Sequence, residues 1–305
     1  MNLARKHFQQ HQAKSAAESA AEFGTMQNTN AYEQQLMQLN SDKNRLKNIQ
    51  SKQNKVELKR QLLPNYKPYL QGILEVKPGV QDAVVTEMLV WSIDVGEYDF
   101  ALDLAEYVLK FGLKLPDRFE RSEACFITED IAEAYLKVLK TDVAISENDF
   151  YQLYRLDDLL NDESLETSSR DMPDEVKAKL YLALGKANMR FIQGESELDF
   201  AYAAHAQKFL EKAVELDDKC GGRTDLNKMT KLFTKLKAVY APSDEVQTSE
   251  ETKPEEQKAQ PLENNPIEIL NPEGTTEQPE ATNVLLNQNG TPVVDDHGSM
   301  VPASE

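Results

Sequence analysis

Histidine is scarce in this chain of 305 residues. There are four, and His7 and His11 stand near the N-terminus while His297 stands near the C-terminus. Catalysis that turns on an imidazole base has little to work with. His205 sits in an alanine-rich helical stretch, which predicts a packed or half-exposed side chain rather than a base. His7 and His11 have the i, i+4 spacing of a ligand pair, but no third ligand stands nearby to complete a metal site. Cysteine is scarcer still, with two residues, Cys125 and Cys220, far apart and outside any CxxC pattern. That argues against a disulfide framework or a zinc site and fits a reducing cytoplasm with buried, inert thiols. No apolar run approaches the roughly 18 residues that a membrane span needs. The N-terminal MNLARKHFQQHQAKS has no apolar stretch after its basic residues, so no secretory signal is expected. The phosphate loop GxxxxGK[ST] is missing, because Gly185-Lys186 lacks the upstream glycine. GxSxG and HExxH are absent as well.

What is present is charge, unevenly spread. The net charge is −18. Residues 1–30 sum to +1, residues 31–70 to +5, residues 71–240 to −12 and residues 241–305 to −12. The positive island is SDKNRLKNIQSKQNKVELKRQLLPNYKPYL at residues 41–70. It carries Lys43, Arg45, Lys47, Lys52, Lys55, Lys59, Arg60 and Lys67 against Asp42 and Glu57. Tyr32, Leu36, Leu39, Leu46, Ile49 and Val56 recur at steps of three, four or seven, the period of one helix face. Such a helix packs by its stripe and presents its cations elsewhere. One reading is a solvated face; the sharper one is a contact for a phosphate backbone. If about four of these cations neutralise phosphates, log affinity falls with log salt at a slope of roughly −3.6.

The order of elements predicts an all-α chain. Residues 1–30, rich in Gln, Ala, Ser and Asn, read as a mobile arm with a helical turn or two around 13–23. Residues 31–68 read as one long basic helix for DNA binding or oligomerisation, ended by Leu62-Leu63-Pro64. Tyr66 and Tyr69 flank Lys67 in a stiff elbow; packing is favoured for them over stacking on bases. A helical core is expected over 69–160. Within it, 79–115 form a hairpin with Val84, Met88, Trp91 and Val95 on one face, a turn at Gly96 and a cap at Gly112. Thr128 is expected to cap a third helix, a further helix covers Phe150–Leu160, and residues 161–172 read as a flexible joint. Asp171 is placed as the cap of a helix continuing through Pro173, Asp174 and Glu175. Residues 171–240 make a C-terminal helical unit whose pair at 174–217 looks like a tetratricopeptide unit, without a regular repeat. Residues 241–305 hold eight of thirteen prolines and no aromatic, the composition of a disordered acidic tail. Two short apolar islands in it, Pro266–Pro272 and Ala281–Gly290, are slightly favoured as docking segments.

One catalytic arrangement is open. Glu129, Asp130 and Glu133 share a helix, and Asp171, Asp174 and Glu175 begin another. Converging carboxylates hold Mg²⁺ in nucleases, but helix starts attract acids on their own, and helix caps are the favoured reading.

A set of ordered matches points to a family. They are Tyr32-Glu33-Gln34, Leu46-Lys47, Ile49, Lys59-Arg60 with Leu62-Leu63-Pro64, Pro68, Gly72, Leu74-Glu75, Gly79 and Gln81-Asp82. They continue through Met88-Leu89, Trp91, Asp94, Gly96, Ala101-Leu102, Ala105, Tyr107, Leu109-Lys110, Gly112-Leu113, Pro116, Phe126 and Thr128-Glu129. Most distinctive is Asp171-Met172-Pro173-Asp174-Glu175-Val176 with Ala178-Lys179-Leu180. Over roughly residues 31–220 the sequence resembles the terminase small subunit of temperate contractile-tailed phages of the peduovirus group, a family labelled terminase endonuclease subunit.

That resemblance implies viral DNA packaging in the host bacterial cytoplasm. The expected partners are the packaging site on concatemeric double-stranded phage DNA and a large subunit that carries the ATPase motor. A ring-forming homo-oligomer is expected. No cofactor of its own is implied, with Mg²⁺ entering only if the chain is a nuclease. Cleavage is expected to belong to the assembled terminase. The alternatives are a metal-dependent endonuclease in its own right and a DNA-independent oligomeric adaptor. The acidic 241–305 departs from the Lys/Arg-rich tail of such relatives. It is expected to contact the large subunit or to shield the basic helix until DNA competes.

Overall fold

The computed structural model describes residues 3–27, 29–116 and 120–240. Among them the chain is all α, with eleven α-helices and no strand. In order these are α1 (Leu3–Phe23), α2 (Asn30–Lys47), α3 (Lys52–Leu62), α4 (Lys67–Val76), α5 (Ala83–Val95) and α6 (Tyr98–Phe111). There follow α7 (Glu123–Leu139), α8 (Glu147–Asn161), α9 (Asp174–Phe191), α10 (Glu197–Leu216) and α11 (Arg223–Tyr240). Short 3-10 turns occupy Leu63–Asn65 and Thr167–Arg170. The acidic segment after residue 240, with its two apolar islands, lies outside the described residues.

The centre is α5. Val84, Met88, Trp91 and Val95 are all buried, as the period of the hairpin predicts, and so is nearly every other residue of this helix. It packs against α2, α3, α6 and α7. Burying a side chain such as Leu or Met contributes on the order of 1.5–3 kcal/mol, so this helix anchors the N-terminal half. Asp82 starts it: Oδ1 accepts from the N–H groups of Val84 and Val85 at 2.7 and 3.1 Å, and Oδ2 accepts from the Tyr69 hydroxyl at 2.6 Å. One buried carboxylate thereby caps α5 and satisfies α4 at once. The turn to α6 passes through Gly96 at φ +79°, a left-handed conformation that a side chain resists.

Several expectations change. Residues 3–23 are no arm; they form a 21-residue helix docked on α4. Its buried face is Ala13, Ala17 and Ala20, too small to read as a hydrophobic stripe. Gly72 permits the approach, since a Cβ there would lie 2.6 Å from the Gln10 carbonyl oxygen and 2.8 Å from the Ala13 Cβ. The basic stretch is two helices. Asn48 closes α2, and the Ser51 hydroxyl caps α3 by accepting from the Asn54 N–H at 3.3 Å. Capping at both ends of a four-residue gap outweighs the continuous apolar period. Thr128 lies buried inside α7, which starts earlier behind the Ser122 cap. Asp171 precedes α9, whose cap position is Pro173. The expected joint at 161–172 contains the second 3-10 turn and buries Leu165 and Met172. Cys125 is buried, whereas Cys220 is half-buried.

Helices α9 and α10 form a close hairpin in which Ala203, Ala206 and Ala213 are buried. A second small core, Leu182, Ala206, Leu210, Ala213 and Met229, ties α11 onto that pair.

Candidate nucleic-acid interface

The eight cations of residues 43–67 are distributed over α2, α3 and the start of α4, and the structure divides them into two groups. Three are held by acids of α5 and the turn behind it. Lys43 meets Glu87 at 3.3 Å, Lys59 pairs with Asp94, and Lys67 pairs with Glu97. Glu87 also accepts from the Trp91 indole N–H at 2.9 Å. The Lys59 ammonium stands 5.7 Å from the Trp91 ring centre, and Lys67 stands 5.2 Å from that of Phe100. These lysines stitch the basic helices to the core.

Two more cations have local partners. Arg45 meets Asp42 at 2.9 Å, and Arg60 meets Glu57 at 2.7 Å while donating to the Val95 carbonyl at 3.2 Å. About half of each arginine side chain stays exposed, 55% and 50%. The Arg60–Glu57 pair is exposed on both sides and is worth roughly 0–1 kcal/mol, so a phosphate can compete for it, whereas the Asp42 carboxylate is buried. Asp42 is the firmer anchor, because its other oxygen accepts from the buried Tyr66 hydroxyl at 2.8 Å. Burial first, and then that carboxylate, push the Tyr66 phenol well above its ordinary range. Tyr66 and Tyr69 are fully buried, and Tyr66 packs edge-on to Trp91 at 6.0 Å. Neither ring is available to stack on a base.

Lys47, Lys52 and Lys55 remain. Among the described residues they have no acidic partner, and they flank the gap between α2 and α3. The helix break turns the end of α2 and the start of α3 into a corner whose free cations come from both sides. Sequence periodicity did not foresee this, because it read one straight helix.

The acidic candidates have a different setting. Glu129, Asp130 and Glu133 lie within α7, past its first turn, so they are not helix-start acids. The Lys179 ammonium of α9 donates to Glu129 at 2.6 Å and to Glu133 at 2.7 Å. Arg121 pairs with Glu129 and, at 3.3 Å, with Asp130. The Lys179 hydrogen bond, against a smaller burial effect, lowers the Glu129 pKa below the usual carboxylate value. Asp171 offers its backbone carbonyl to the Ser122 hydroxyl at 3.1 Å. Asp174 and Glu175 stand exposed in the first turn of α9. Among the described residues no three His, Cys, Asp or Glu side chains are grouped to hold a metal ion. Where a divalent cation needs open carboxylate oxygens, Glu129 and Glu133 face an ammonium.

A second basic face was missed in the sequence. Helix α11 carries Arg223, Lys228, Lys231, Lys235 and Lys237 against Asp225 alone. All five cations are exposed. Asp225 is turned to Lys186, and Lys235 pairs with Glu195 across the surface. The signal was present in the local charge, net +4 over residues 223–237, but a window of 71–240 at net −12 hid it.

A family model described as phage small terminase subunit matches residues 36–175. The protein named "Terminase, endonuclease subunit" of Escherichia phage P2 is 32% identical over 224 residues, which cover 72% of this chain and 83% of that protein. No solved structure matches.

Proposed function

The chain belongs to the phage small terminase subunit family, and on that premise we propose that it binds the packaging site of concatemeric phage DNA and recruits the large ATPase subunit. The observation that carries the DNA contact is the α2–α3 corner, where Lys47, Lys52 and Lys55 stand without acidic partners among the described residues. Lysines of this kind bind the backbone as point charges and supply affinity that is independent of sequence. Arg60 joins them when a phosphate displaces its exposed Glu57 partner, and Arg45 turns its exposed half to a phosphate while Asp42 stays buried. Lys43, Lys59 and Lys67 serve the fold instead.

Several copies joined in a ring raise a contact of a few lysines to useful strength, because each later contact forms within the bound assembly. Genome cutting belongs to the assembled terminase. The relative's name refers to an endonuclease subunit, yet here Lys179 and Arg121 engage Glu129, Asp130 and Glu133.

The experiment is a gel assay of the full chain with labelled duplex from the packaging region of its phage, in Mg²⁺. A shifted, intact band is expected. No shift at low salt would overturn the DNA reading. A cut band that Glu129→Ala or Asp174→Ala abolishes would move cleavage onto this chain.

A further inference from the structure

Helix α11 rests on α10 through Met229 and Leu236, which are buried. The face turned away from these two bears Thr224, Asn227, Lys228, Lys231 and Lys235, all exposed. Their spacing of three, four and seven puts them on one side of the helix. Among the described residues Lys228 and Lys231 have no acidic partner, and the Lys235–Glu195 pair is about 60% exposed on both sides, so water screens it. The acid of this helix, Asp225, points elsewhere, to Lys186.

We propose that this face of α11 is a second contact surface for the phosphate backbone of duplex DNA, acting with the α2–α3 corner. The inference rests on the DNA reading above and deepens it. Between Thr224 and Lys235 the face holds lysines, a hydroxyl and an amide and no apolar side chain. Protein interfaces place apolar and aromatic groups at their centre and are depleted in lysine. Backbone contacts to DNA use lysine together with Thr and Asn side chains. The face is also better prepared for an external anion than most of the stretch at 43–67, where acids of the same chain hold five of eight cations. The two surfaces lie on helices that share no principal contact, α11 resting on α10 and α2–α3 on α5. One subunit therefore grips the duplex at two separate places, or two stretches of it.

The test is a salt titration of the full chain on one probe, a duplex of about 40 base pairs without a packaging sequence. The unaltered chain is compared with K228Q/K231Q/K235Q and with K47Q/K52Q/K55Q. Glutamine matches lysine closely in helix propensity, so melting curves should coincide. Each triple variant is expected to lower the steepness of log affinity against log salt by about 2.7. If the α11 triple variant does not fold, K231Q alone is expected to lower it by about 0.9. An α11 variant with unchanged slope beside a corner variant with reduced slope overturns this inference and leaves the DNA reading standing. An unaltered chain that does not bind overturns both. An α11 variant that keeps DNA affinity but loses binding to polyglutamate overturns it in favour of an acidic protein partner.

Discussion

Lys43 of α2 meets Glu87 of α5 at 3.3 Å, and the carboxylate is the buried partner, with 4% of its side chain exposed against 38% for the lysine. The pair joins a helix of the basic stretch to the helix at the centre of the core. Removing the lysine takes a cation from a carboxylate that water hardly reaches. Lys43→Met is therefore expected to lower unfolding stability by about 1–3 kcal/mol while changing duplex affinity little. Urea unfolding and a duplex titration on the same protein check it. Intact stability with lost affinity would make Lys43 a DNA contact.

The corner lysines should behave in the opposite way. Lys47, Lys52 and Lys55 are unpaired among the described residues, so neutralising them costs the fold within about 0.5 kcal/mol. Duplex affinity at moderate salt should drop for K47Q/K52Q/K55Q, uniformly across DNA sequences, because phosphate contacts carry no base information. A variant that lost affinity for the packaging site alone would show that these side chains read bases.

The seat of α1 depends on a missing side chain. A Cβ at Gly72 would meet the Gln10 carbonyl at 2.6 Å, backbone that cannot swing aside. Gly72→Val should push α1 off α4 and cost about 1–3 kcal/mol or more. Limited proteolysis is the readout: cleavage should appear between residues 3 and 29 in the variant and be slow in the unaltered chain. Equal protection in both would mean that the two helices do not pack in solution as described.

Glu129 gives a prediction with a pH sign. Its pKa is lowered in the folded state, chiefly by the Lys179 hydrogen bond, so the unfolded chain binds a proton more readily. The stability this contributes is present above the ordinary carboxylate pKa and is lost as pH falls through the lower, folded value. Lys179→Met should lower stability at neutral pH and flatten its decline in that acid range. Urea midpoints measured across the range test this. A decline as steep in the variant as in the unaltered chain would assign it to other carboxylates.

The sequence by itself determined the helical class, the α5–α6 hairpin and the buried face of Val84, Met88, Trp91 and Val95. Such features rest on period, proline and glycine, which act within a few residues of chain. The tertiary structure decided the rest. It docked α1 by alanines at Gly72, an approach that carries no hydrophobic stripe to read. It broke the basic helix at Asn48–Ser51, where local caps won over a longer period. It moved Glu129 and Glu133 from helix ends to a shared ammonium on α9. It sorted eight cations into those bound to α5 or to local acids and those left open. Whether a lysine is free depends on acids that are 35 or 44 residues away in the sequence, as for Lys59 with Asp94 and Lys43 with Glu87. Charge along a chain is local information, whereas charge on a surface is the sum left after distant residues have met.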